Sequence, residues 1–296
     1  MEAYQTLYDT QGYVLIPPSV LLPTSSPLFQ DLLTASAHVV AKTRSGAWSH
    51  RRTVGKQFPP FDSDNPDSWG VQHVMHPDLG EDALVFQRWY TGEEVRRVVC
   101  ALMRCRDEDL QMELFNLLIN PESHEFALRW HRDDVREDAT TEEEEKALGI
   151  WTHGVQWNTA LYEDDCLYVV PGSHKVPRTP EQRVHSSSPD PPKDPLAMPG
   201  SIKVTLQPGE TVFYNSNIVH CGTYTHTRPR ATLHACIGST QGGASRARNI
   251  LQHGLAWMED SQAFREGLSE QGRAMLDRTI GMKRGVGEGV GFSQTN

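Results

Sequence analysis

His131 and Asp133 stand two residues apart in the segment FALRWHRDD. On an extended strand, residues i and i+2 face the same way. An imidazole and a carboxylate on one face can hold one metal ion if a further ligand arrives from elsewhere in the chain. Two histidines and one carboxylate leave three coordination positions open, the arrangement suited to iron(II) oxygen chemistry. The spacing alone is weak, because His76-Pro77-Asp78 repeats it. That triplet lies in loop-rich chain, and Pro77 fits a turn better than a ladder. Asp134 competes with Asp133 by position but would face the opposite way on a continuing strand.

Downstream, a strand-like run (TVFYN) leads through a bend to His220, and the run RATLHACIG follows. Along that second run Arg230, Thr232, His234 and Cys236 share one face, while Ala231, Leu233, Ala235 and Ile237 share the other. A polar inward face that opens with a guanidinium predicts an anion inside. Arg230 offers a planar fork that suits a carboxylate, and Thr232 adds a hydroxyl beside it.

These groups need a rigid frame. Between residues 111 and 240, short β-type runs (MELFNLLIN, EFALRWH, GVQWNTALY, CLYVVPG, SIKVTL, GETVFYNSN, RATLHACIG) alternate with turns, which predicts an all-β sandwich or barrel. Residues 1–110 read as a helical and loop-rich N-terminal part. Within it Val95, Val98, Val99 and Leu102 fall at helical spacing. Two segments interrupt the strands. Residues 136–149 are acidic and read as a short solvated helix. Residues 176–199 are rich in Pro and Ser without periodicity, the character of a lid or binding loop. Both are expected to act as lids. Residues 241–296 read as a C-terminal helix and a frayed tail, and the whole of 1–296 as one domain.

Composition narrows the partners. A net charge of −10 with only short basic clusters disfavours nucleic acid. No run of apolar residues is long enough to span a membrane. The start, MEAYQTLYDTQGYVLIPP, lacks a basic region before its apolar run, so no secretory signal is expected. Five cysteines without a CxxC pair suit reduced thiols and a cytoplasmic setting. Sequence leaves a homodimer open.

HRD at 131–133, WNTALYEDDCLYVVPGSHK at 157–175 and H…RPRAT at 220–232 together resemble the phytanoyl-CoA dioxygenase family. The likeness is good over roughly residues 111–240 and loose in the flanks. It implies a mainly β fold with flanking helices, a cupin-like double-stranded β-helix or jelly roll. It also implies an oxidoreductase that uses iron(II), 2-oxoglutarate and dioxygen. By that resemblance His131, Asp133 and His220 are the metal ligands and catalytic centre. Arg230 and Thr232 hold the distal carboxylate of 2-oxoglutarate, and Trp157 lines the co-substrate pocket. Family members often carry Gln three residues before the first ligand; here Leu128 stands there, and Asn116 is expected to meet the keto-acid end instead. Gln72 sits where relatives place residues of the pocket mouth. The carboxylate at 133 disfavours halogenation, which needs a small residue there. The expected substrate is a small, largely apolar organic molecule, a secondary metabolite, and the expected reaction is hydroxylation, with desaturation, epoxidation or rearrangement using the same chemistry. The rival reading is a non-redox metal-dependent jelly-roll isomerase or epimerase, which would keep the three ligands but not need Arg230.

Overall fold

The computed structural model of the protein describes residues 1–59, 61, 64–149, 154–243, 246 and 253–286. Its frame is two antiparallel sheets. The larger contains β1 (Tyr13–Ile16), β2 (Arg51–Thr53), β3 (Ser68–Val71), β4 (Leu110–Ile119), β6 (Gly154–Ala160), β9 (Thr211–Tyr214) and β11 (Ala231–Ser239), in the order β1-β9-β6-β11-β4-β3-β2. The smaller contains β5 (Phe126–Ala127), β7 (Asp164–Val169), β8 (Ile202–Leu206) and β10 (His220–Tyr224), in the order β5-β10-β7-β8. From β4 onward the chain crosses repeatedly from one sheet to the other, as in a jelly roll, with the interior between them.

Among the described residues, seven α-helices precede or interrupt the strands: α1 (Glu2–Gln11), α2 (Pro18–Leu21), α3 (Pro27–Arg44), α4 (Glu81–Tyr90), α5 (Glu93–Met103), α6 (Thr141–Leu148) and α7 (Pro180–Ser186). A long helix, Glu270–Val286, ends the described chain. In α5 the four residues picked out by spacing, Val95, Val98, Val99 and Leu102, are all buried. They join Phe86, Tyr90, Phe115, Trp157 and Leu233 in the main apolar core, on the outward face of the large sheet. No helix of the described residues is long and apolar enough to cross a membrane. Residues 287–296, most of the expected frayed tail, lie outside the described residues.

The strand frame is wider than the run from 111 to 240. β1 pairs with β9 (Tyr13↔Tyr214), and β2 and β3 extend the sheet beyond β4 (Arg52↔Gly70, Gly70↔Leu118). These N-terminal strands are only three or four residues long, too short for alternation to show against loop-rich neighbours.

One irregularity in the sheet has a plugged hydrogen-bond gap. The register of β11 on β4 slips between Ala235 and Ile237, a bulge that interrupts the ladder. The Tyr90 hydroxyl fills the gap, accepting from the Glu113 amide (2.8 Å) and donating to the Cys236 carbonyl (2.7 Å). Tyr90 is fully buried. Tyr90→Phe therefore strands a buried donor and a buried acceptor and is expected to cost about 1–3 kcal/mol. Chemical unfolding of the two proteins checks this; a difference within error would mean that the bulge re-pairs by itself.

The interruptions at 136–149 and 176–199 are structured. α6 starts at a capping box of Thr140 with Glu143, and α7 at one of Thr179 with Gln182. The expectation of a wholly solvated acidic helix fails at one residue. Glu144 is fully buried, because Leu148 lies one turn on and draws the same face inward. Its carboxylate pairs with Arg132, Arg178 and Arg183. Arg132 stands between His131 and Asp133, so this cluster ties both interruptions to the ligand segment.

Candidate metal centre

β10 opens at His220, and the chain before it at His131 forms a two-way backbone bridge with it. The His131 amide donates to the His220 carbonyl at 3.0 Å, and the His220 amide donates to the His131 carbonyl at 3.0 Å. The strand expected through 131 is thus a two-residue strand, β5, followed by this bridge. Asp133 is anchored one step on, its amide donating to the Ser216 carbonyl at 2.9 Å. The ligand-type atoms of His131, Asp133 and His220 all lie within 4.8 Å of one another. Asp133 Oδ1 is 3.6 Å from His131 Nε2 and 3.9 Å from His220 Nε2.

Both imidazoles are oriented from behind. His131 Nδ1 lies 2.8 Å from the Arg129 carbonyl, and His220 Nδ1 lies 2.9 Å from the Ile218 carbonyl. A carbonyl only accepts, so each Nδ1 carries the proton and each Nε2 presents a lone pair to Asp133. Burial, reinforced by the neighbouring His220, pushes the His131 pKa well below the ordinary value, so that ring is neutral. Gln156 donates to Asp133 Oδ2 at 2.6 Å, which leaves Oδ1 facing the imidazoles. This is a donor set that fits a divalent metal ion. The rival carboxylate, Asp134, turns away to Arg246 at 3.2 Å. His76 caps a turn, accepting from the Asp78 amide, and packs its ring against Trp257, away from the three ligand-type residues.

The cavity over these residues lies between the sheets. Its apolar wall includes Leu114, Leu118, Leu128, Phe58, Phe61 and Trp69, and its polar wall includes Arg52, Arg230, His234 and Asn158. Phe58 and Phe61 come from the loop between β2 and β3. Among the described residues that line the cavity, none falls within 136–149 or 176–199.

Arg230 and Thr232 are together, as their shared face requires, but a carboxylate of the protein already meets them. Arg230 Nε donates to Asp164 Oδ2 at 3.0 Å, and the Thr232 hydroxyl donates to the same oxygen. Burial alone would raise the Asp164 pKa, yet Arg230 and Thr232 outweigh it and hold the carboxyl below the usual range. Arg230 is nevertheless not saturated. Its Nη1 is buried and without a partner, and its guanidinium lies over the Tyr224 ring at 4.6 Å. An orphaned guanidinium donor beside the cavity fits a ligand carboxylate. Sequence reasoning missed Asp164, because nothing in the chain's spacing places it against β11.

The other expected residues fall differently. Trp157 is not on the pocket side. It pairs with Ala235 and Phe213, fully buried in the outward core, with its ring 5.9 Å from that of Tyr90. On β6 it is Gln156 and Asn158 that face the cavity, and alternation sends Trp157 the other way. Asn116 faces inward opposite His234 but uses Oδ1 to accept from the His73 amide at 3.1 Å, where the backbone takes a left-handed turn (φ 58°). Its Nδ2 has no partner, and it does not line the cavity. Gln72 is buried just past β3, also outside the cavity lining.

The family model described as Phytanoyl-CoA dioxygenase (PhyH) matches residues 8–230. No curated protein matches the chain. Among solved structures, AviO1 from Streptomyces viridochromogenes Tue57 is 16% identical with a TM-score of 0.57, over 80% of this chain and 94% of that one. SnoN, described as a non-heme alpha ketoglutarate dependent epimerase from nogalamycin biosynthesis, is 18% identical with a TM-score of 0.52, over 81% of this chain and 80% of that one. EctD from S. alaskensis, crystallised with 2-oxoglutarate and 5-hydroxyectoine, is 16% identical with a TM-score of 0.53, over 81% of this chain and 77% of that one. At such identities the likeness to solved structures is one of fold.

Proposed function

The chain belongs to the phytanoyl-CoA dioxygenase family, and from that premise we propose that it is an iron(II)- and 2-oxoglutarate-dependent dioxygenase acting on a small, largely apolar organic molecule. The observation that carries this reading is the convergence of two Nε2 lone pairs and one carboxylate oxygen on a single point beside an orphaned guanidinium donor. His131, Asp133 and His220 would hold the iron, and Arg230 would offer Nη1 to the keto acid. Bound there, iron with 2-oxoglutarate and dioxygen supplies an oxidant that can remove hydrogen from an unreactive carbon.

The protein's own contribution is positioning and exclusion of water. Gln156 fixes the carboxylate so that one oxygen stays with the metal. The two backbone carbonyls fix the tautomers. Phe58, Phe61, Trp69, Leu118 and Leu128 give the cavity an apolar wall, which supports an apolar substrate. The natural-product setting of SnoN supports a secondary metabolite. Hydroxylation is the proposed outcome, with desaturation, epoxidation or rearrangement open to the same site. Asp133 keeps a carboxylate where a halide would need room, which speaks against halogenation.

The test needs no substrate. Purified protein mixed with iron(II) and 2-oxoglutarate under anaerobic conditions is expected to develop a weak visible charge-transfer band, missing in His131→Ala and Arg230→Ala. Iron bound without the band would favour the non-redox metal-dependent isomerase. A protein that binds no iron would overturn the site.

A further inference from the structure

Buried arginines among the described residues are Arg52, Arg132, Arg178, Arg230 and Arg246. The last four each pair with a carboxylate: Arg132 and Arg178 with Glu144, Arg230 with Asp164, and Arg246 with Glu113 and Asp134. Arg52 has no ion pair among the described residues. It is 7% exposed, its Nε is buried without a partner, and it lines the cavity together with His131, Asp133 and Arg230. Two ring faces attend it: its guanidinium carbon lies 5.0 Å from the Trp69 ring and 5.3 Å from the Phe61 ring, while Asp133 acts on it through space without an ion-pair contact. A guanidinium taken out of water is costly unless an anion meets it, and cation–π contact offsets only part of that cost.

The sheet shows where this side chain is directed. Arg52, Gly70, Leu118 and Thr232 are successive partners across β2, β3, β4 and β11. Residues in such a row point to one face. Gly70 is the gap in the row, since a Cβ there would stand 3.1 Å from Arg52 Cδ and 3.4 Å from its Cγ. The missing side chain lets Arg52 lie across β3, inward along the row that ends at Thr232. The charges agree. Asp133 and Asp164 cancel Arg52 and Arg230, and iron(II) cancels a 2-oxo dicarboxylate. Without Arg52 the loaded site would hold one uncompensated negative charge, because Asp164 has already neutralised Arg230.

We propose that Arg52 is a second carboxylate-binding residue of this pocket, and that it pairs with a carboxylate of the 2-oxo acid co-substrate alongside Arg230. The inference rests on the dioxygenase reading above. It names a residue from the short N-terminal strand β2, outside the run from 111 to 240, and it leaves the organic substrate neutral.

Anaerobic calorimetric titration of the iron(II)-loaded protein with 2-oxoglutarate tests it. Arg52→Gln is expected to weaken 2-oxoglutarate binding about 10- to 100-fold, the size of a lost charge-assisted hydrogen bond, with iron affinity unchanged. Arg52→Lys should recover part of the loss, since it keeps the charge but not the fork. Repeating the titration with 2-oxobutyrate, which lacks the distal carboxylate, locates the contact. A penalty seen only with 2-oxoglutarate assigns Arg52 to the distal end, and an equal penalty for both assigns it to the keto-acid end. Should Arg52→Gln fail to fold, Gly70→Ala keeps the charge but crowds its path and should weaken 2-oxoglutarate several-fold. Wild-type affinity in folded Arg52→Gln overturns this proposal while leaving the dioxygenase reading intact. Iron-loaded wild type that does not bind 2-oxoglutarate overturns both.

Discussion

Asp133→Ala loses iron(II) affinity by more than about 100-fold, while Asp134→Ala keeps it near wild type. The ranking follows from where the two neighbouring carboxylates point. Asp133 Oδ1 faces both Nε2 atoms, whereas Asp134 is held by Arg246. Removing a group that only orients a ligand typically weakens a metal site about 10- to 100-fold, so loss of the ligand itself should exceed that range. Gln156→Ala belongs in the intermediate class, since it frees Asp133 Oδ2 without touching the oxygen that faces the imidazoles. His131 is already neutral, so at neutral pH its Nε2 can take the metal without first releasing a proton. Anaerobic competition with a chromophoric chelator gives the three affinities in one assay. Equal losses in Asp133→Ala and Asp134→Ala would mean that the segment, not the carboxylate, is what the metal needs.

What could be read in the sequence was whatever depends on parity and type. Arg230, Thr232, His234 and Cys236 were placed on one face because a strand alternates, and the structure keeps Arg230, His234 and Cys236 at the cavity. The same rule, applied to GVQWNTA, would have sent Trp157 outward. The polar face of β11 is the inner one, so Gln156 and Asn158 mark the inner face of β6 by the same logic. The residue-by-residue pairing that makes this certain, Trp157 opposite Ala235, is a matter of register, and a slip of one residue would invert it. Asp164 and Arg52 were beyond reach for a related cause. Each meets the site only through strands brought together by topology: β7 in the small sheet, and β2 at the far edge of the large one. Neither contact has a spacing in the chain to betray it.

The buried carboxylate of α6 carries the largest expected effect on stability. Glu144 is one of four consecutive glutamates, and such a run ordinarily marks a solvated face. It is instead fully buried, 3.3 Å from Arg132 Nε, 2.7 Å from Arg178 Nε and paired with Arg183. Breaking a buried ion pair from one side costs about 3–5 kcal/mol, because the remaining charge stays out of water. Here one carboxylate serves three guanidiniums. Burial already pulls the Arg132 pKa down to about 10 against the pull of Glu144, so Arg132 has little left to compensate its loss. Glu144→Gln is therefore expected at or above the upper end of that range, and a thermal melt should show Tm lower by on the order of 10 °C. Arg132 also donates to the Ser173 and Val176 carbonyls, at 2.7 and 2.9 Å, and it is the residue between two candidate ligands. Iron affinity should therefore fall along with stability in Glu144→Gln. Arg183→Ala, whose side chain is partly exposed and leaves Glu144 two partners, should cost less and spare the metal. A melt of Glu144→Gln within a degree or two of wild type would show that the two interruptions are held by their apolar contacts, and that the ion cluster is incidental to the ligand segment.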